Sequence, residues 1–98
     1  MLINLTASEL AAFYSRAKEA YRECITGDNT ELLQEEMEGL FELEIINSDV
    51  KIVFHQENPD SYSFEITLNL WKQNKWVGKY VYVEEEDGNP DDDRLMFF

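Results

Sequence analysis

"SYSFEITLNLW", Ser61 to Trp71, is the clearest strand in the chain and sets its architecture. Tyr62, Phe64, Ile66, Leu68 and Leu70 alternate with Ser63, Glu65, Thr67 and Asn69, so one face reads as core and the other as wet. Downstream, "KQNK" is a turn into "WVGKYVYVE", where Val77, Val81 and Val83 share one face and Trp76, Tyr80 and Tyr82 the other. Both faces of that strand are apolar or aromatic. Either it is covered twice or an aromatic row is exposed.

Upstream, "FELEII" sets Phe41, Leu43 and Ile45 against Glu42 and Glu44, and "NSD" reads as a turn into "VKIVFH". Before that point the period is helical. Thr6 is a good N-cap, Glu9 completes a capping box, and Leu5 and Leu10 are spaced for a hydrophobic staple. Leu10, Phe13, Tyr14, Ala17, Tyr21, Cys24 and Ile25 then fall on one helical face, and Gly27 closes it. A second, short acidic helix is predicted in "GDNTELLQEEMEGLF", capped by Asp28 or Asn29, with Leu33, Met37 and Leu40 as its stripe and Gly39 as its end. Helices followed by consecutive strands on short turns predict an α+β domain: two N-terminal helices packed on one face of a mostly antiparallel sheet of about four strands, a two-layer sandwich. "RLMFF" needs tying down as a last strand or a packed turn.

The length of 98 residues fits a single domain over 1–98. Two Trp, five Tyr and six Phe give it enough apolar material to fold despite its charge. That charge is −13, from 21 acidic against 8 basic residues, which favours solubility and repels nucleic acid and anionic membranes. The sequence shows neither a secretory signal nor a membrane span, so the cytoplasm is the expected location. A lone Cys24 makes no internal disulfide and no cysteine-rich zinc site, and is expected to be a buried apolar residue.

Little in the chain suggests catalysis. His55 is the sole histidine and lacks the partners of the usual zinc or triad constellations. Aligning Gly88 with the glycine of a calcium loop would put Val83 at its first ligand position and Arg94 at its last, so that pattern fails. No phosphate-cradling glycine run is present. The expected assignments are no catalytic residue, no metal site and no cofactor.

The placement of the acids is more informative. "VEEEDGNPDDDR", Val83 to Arg94, carries seven carboxylates between Glu84 and Asp93 and no cation before Arg94, and reads as a long acidic loop. From Gly27 to Val50 there are eight acids and no basic residue. Basic residues Arg16, Lys18 and Arg22 sit in the first helix, where Lys18 and Arg22 are placed to pair with Glu19 and Glu23 or their neighbours. Two candidate patches result: Glu31, Glu35, Glu36, Glu38, Glu42 and Glu44, or the loop residues Glu84, Glu85, Glu86, Asp87, Asp91, Asp92 and Asp93. Either would steer a partner with a basic surface. Trp76, Tyr80 and Tyr82, or Trp71, are the candidate anchors, with ordinary core packing as their other reading.

Small size, strong acidity, an α+β layout and the "EDGNPDDDRL" ending resemble the immunity proteins of bacterial toxin systems, including contact-dependent growth inhibition. The resemblance implies a non-catalytic inhibitor that binds and neutralises a cognate toxin, often a nuclease. A phage-type mimic of nucleic acid that blocks a host defence complex, as anti-CRISPR or anti-restriction proteins do, has the same features. An acidic housekeeping scaffold domain is the remaining alternative.

Overall fold

In the computed structural model, residues 5–26, 39 and 42–98 are described. The capping box forms as its residues require: the Glu9 N–H donates to Thr6 Oγ1 (3.1 Å) and the Thr6 N–H to Glu9 Oε1 (3.3 Å). From it runs α1, Ala7–Thr26, closed by the Thr26 hydroxyl donating to the Arg22 carbonyl (2.7 Å). Gly27 and the predicted second helix lie outside the described residues, apart from Gly39. Among the described residues the chain is thus α+β with one long helix and a four-stranded sheet.

The sheet is an antiparallel meander in the order β1-β2-β3-β4, with β1 at Glu44–His55, β2 at Asn58–Lys72, β3 at Lys75–Glu85 and β4 at Pro90–Phe97. Phe64, Ile66, Leu68 and Leu70 of β2 are buried on one face, as their alternation predicts. Register places Tyr80 and Tyr82 of β3 beside them on that face. The α1 stripe Phe13, Ala17, Tyr21 and Ile25 completes the cluster. Phe13 meets Phe64 with ring centroids 4.6 Å apart, and Tyr21 meets Tyr80 edge-on at 5.5 Å. Ala17, fully buried between them, lets the helix approach closely.

Three expectations are corrected. "NSD" is not a turn: Asn47, Ser48 and Asp49 form a register shift inside the continuous strand β1. The reason lies in the phase of the pattern, because Ile45 pairs with Leu70 but Val50 with Ile66, and one extra residue keeps both apolar sets on the same face. Trp76 does not share a face with Tyr80 and Tyr82. A second shift pairs Leu70 with Gly78 but Trp71 with Trp76, skipping Val77 and turning Trp76 to the opposite face. The acidic stretch is not one long loop either, since Asp91, Asp92 and Asp93 belong to β4. The low strand propensity of aspartate is overridden there by pairing with Tyr82 and Val83.

One buried charge pair ties α1 to the sheet. Glu84, 1% exposed, faces α1 at the end of β3 and accepts two hydrogen bonds from Arg16, from Nε at 3.0 Å and Nη2 at 2.7 Å. The Arg16 guanidinium also lies over the Phe13 ring, 4.9 Å from its centroid. Arg16→Met should leave Glu84 buried without its cation and lower stability by about 2–3 kcal/mol, less than for a fully buried pair because Arg16 is partly solvated. Adding Glu84→Leu should recover most of the loss in urea unfolding.

The β2–β3 turn carries strain that is relievable. Gln73 and Asn74 both have positive φ, 51° and 63°, the conformation that two-residue hairpins need and that Gln disfavours. Gln73→Gly removes a left-handed penalty of about 1–2 kcal/mol, offset by a backbone entropy cost of about 0.5–1 kcal/mol. The denaturation midpoint should rise with an unchanged slope.

The core tyrosines set an alkaline limit. Burial pushes the Tyr21 phenol up to about 12, with the nearby Cys24 adding to it, and drives Tyr80 still higher. An unfolded phenol ionises near 10, so the contribution of these groups is complete below that pH and is lost as pH rises through 10 toward 12. The part of the phenolate absorbance that Tyr21→Phe removes should therefore appear together with unfolding, and that substitution should shift the transition to higher pH.

Candidate protein-binding surface

The β3–β4 hairpin is built by its own acids and amides. The Glu85 N–H donates to the Asn89 carbonyl (2.8 Å) and the Gly88 N–H to the Glu85 carbonyl (2.9 Å), while Asp87 accepts from the Asn89 backbone (3.1 Å) and side chain (2.9 Å). Gly88 takes φ +91°, a conformation a side chain would resist. Asp87 is thus a turn residue. This local chemistry presents the segment after it as a strand and not as a loose loop.

The seven carboxylates therefore divide by task. Glu84 is consumed in the ion pair with Arg16, which removes it from any exposed patch and corrects the expectation that it steers a partner. Asp87 holds the turn. Asp93 accepts the Tyr80 hydroxyl at 2.6 Å, tying β4 to the core. Burial first, and then this bond and the adjacent charge, raise the Tyr80 pKa. Glu85, Glu86, Asp91 and Asp92 remain exposed, with no ion pair among the described residues.

These free acids do not stand alone. A groove of about 590 Å³ runs between α1 and β4, lined on one wall by Glu19 and Glu23 and on the other by Asp91, Asp92 and Asp93. Its floor is apolar, formed by Ala20, Cys24 and Tyr82. Arg16 also lines it but is engaged by Glu84. Glu19 and Glu23 were assigned by sequence to pairing with helix cations, and the described ion pairs include neither. Their helical spacing, four residues apart on the face flanking the core stripe, was the available signal.

Of the patch from Glu31 to Glu44, Glu42 and Glu44 are exposed at and just before the start of β1, while Glu31, Glu35, Glu36 and Glu38 lie outside the described residues. The aromatic anchors separate. Tyr80 and Tyr82 are buried under α1 and are core, not exposed anchors. Trp76 is 46% exposed, but it packs edge-on with Phe98 (4.6 Å) and does not line the groove. Trp71 is half-buried across from it.

Cys24 is half-buried, and burial together with Asp93 raises its thiol pKa, so it is held in the unreactive protonated form. His55 Nε2 lies 3.3 Å from Ser63 Oγ. Ser63 is buried in the middle of the sheet, paired with Val53 and Glu85, and the adjoining hollow is lined by Glu85, Glu86, Asp87 and Asp91. Such a wall of carboxylates opposes the negative charge that an acyl-transfer step develops. Among the described residues no three His, Cys, Asp or Glu converge to hold a metal, and no helix is long and apolar enough to cross a membrane. Comparison with protein-family models, with curated proteins and with solved structures found no match.

Proposed function

We propose that this protein is a non-catalytic inhibitor that binds a basic partner surface through the groove between α1 and β4, acting in the cytoplasm as an immunity protein against a nuclease-like toxin. The observation that supports this reading is the convergence of Glu19 and Glu23 with Asp91 and Asp93 around an apolar floor, with Asp92 between them on the strand. A carboxylate rim raises the encounter rate with a cationic surface, and the floor supplies desolvated area to slow dissociation. Solubility alone calls for no such grouping, since dispersed acids would serve it equally well.

Capture of partners on the immobilised protein, washed through rising salt, tests the proposal. A single basic protein should be retained by the wild type at high salt. On Asp91→Lys/Asp92→Lys its association rate should fall by about tenfold or more at low salt, with a weaker salt dependence. Both positions are exposed on β4, and reversing them relieves repulsion, so unfolding midpoints should not drop. Binding that survives this reversal, and a matching reversal at Glu19 and Glu23, would overturn the electrostatic reading.

A further inference from the structure

The strand β4 ends the sheet, and among the described residues no strand lies on its outer side. Alternate residues of an antiparallel edge strand direct their N–H and C=O groups away from the sheet, where they can accept another strand. Natural edges are usually blunted by charge, and Asp91, Asp92 and Asp93 do that against most sequences. The same charges favour one kind of strand.

Resting on the reading that the groove takes a basic partner, we infer that the partner supplies an extended cationic segment, which adds to β4 as a fifth strand. Glu84 pairs with Pro90 and Val83 with Asp92, so Asp91 is the extra residue of a register shift and the regular ladder open to an added strand begins at Asp92. Asp93, opposite Tyr82, faces α1, and Asp92, opposite Val83, faces the other side. Lys or Arg side chains pointing toward α1 would enter between Asp93 and the Glu19–Glu23 wall, with their aliphatic stems on Ala20 and Cys24. Further along, Leu95 faces α1 opposite Tyr80, and Phe97 follows opposite Gly78 with half its surface exposed. The segment facing them is apolar. The preferred ligand thus carries a lysine or arginine beside Asp93, a second cation near the bulged Asp91, and an apolar residue beside Leu95 or Phe97. Self-pairing through this edge is disfavoured by the charge of −13 that each copy would bring.

Two synthetic peptides, Val-Thr-Val-Thr-Lys-Thr-Lys for antiparallel and Lys-Thr-Lys-Thr-Val-Thr-Val for parallel addition, test this by amide-resolved NMR titration of the wild-type protein. Bound peptide should shift β4 and α1 signals and slow exchange of the outward β4 amides. Separate N-methylation at consecutive peptide positions, which keeps charge but removes one donor at a time, should weaken binding about tenfold at alternate positions and little at those between. Glu23→Gln with Asp91→Asn should weaken it by a similar factor and reduce its salt dependence. Equal binding of all methylated peptides would overturn strand addition while leaving a basic-partner groove intact. No binding of any peptide at low salt would also overturn strand addition, and the capture experiment on the charge-reversed variant then judges the groove separately. A wild-type dimer that Asp91→Lys dissociates would show that the edge belongs to a second copy, again overturning the inference.

Discussion

Tyr80 is the residue on which the arrangement depends. Its ring is fully buried against Tyr21 of α1, and its hydroxyl donates to Asp93 of β4 at 2.6 Å. A buried hydroxyl left without an acceptor would cost about 1–3 kcal/mol, so the core itself requires a carboxylate or equivalent on the neighbouring strand. That requirement connects an apolar packing problem to the acidic edge. By holding Asp93 in place, Tyr80 fixes the strand that carries Asp91 and Asp92, and Tyr21 fixes the helix that carries Glu19 and Glu23.

The ion pair of Arg16 and Glu84 does comparable work one turn of hairpin away. Burying a carboxylate is expensive, and Glu84 is tolerated because a guanidinium supplies two donors in fork geometry. The consequence for charge is easily overlooked. Among the described residues Arg16 is the one cation lining the groove, and it is paired with Glu84. Arg94 is likewise drawn to the opposite face by Glu65, at 2.9 Å. Arg16 and Arg94 are thus engaged by structural partners, while Lys18 and Arg22 on α1 have no ion pair among the described residues.

Local pattern was enough to read β2, the capping box and an antiparallel sheet of about four strands, because each depends on neighbours in sequence: an alternation in Tyr62 to Leu70, a Thr6–Glu9 pair, short turns. The irregularities were less legible. The phase change between Ile45 and Val50 was visible in the sequence, but Asn47, Ser48 and Asp49 satisfy a turn as well as a bulge, and only pairing with a strand of 15 residues selects the bulge. The skip at Val77 has no local signal, since alternation alone places Trp76 with Tyr80. Glu84 and Asp93 were illegible as structural acids for a different reason. Their partners are distant in sequence, Arg16 by 68 residues and Tyr80 by 13, and nothing in a run of like charges marks which members are buried. The joining of Glu19 and Glu23 to the C-terminal acids was hidden in the same way.

The distribution of the cations that remain sharpens the electrostatic argument. Lys72 and Lys75 lie directly across from each other at the β2–β3 turn, with Lys79 four residues further along β3, and none has an ion pair among the described residues. Like charges opposed in a hairpin are mildly destabilising, so this end of the sheet bears a small cost. The free acids Glu85 and Glu86 stand at the other end of β3, roughly 35 Å away for an 11-residue strand. That span exceeds several Debye lengths at physiological salt, so the two ends act as separate fields on anything at the surface. Exposed Glu44 pairs with Trp71, next to Lys72, so acids also stand beside the lysine turn. Under the proposed reading, a cationic partner would therefore be drawn most strongly to the hairpin between β3 and β4, where the acids have no cation across from them.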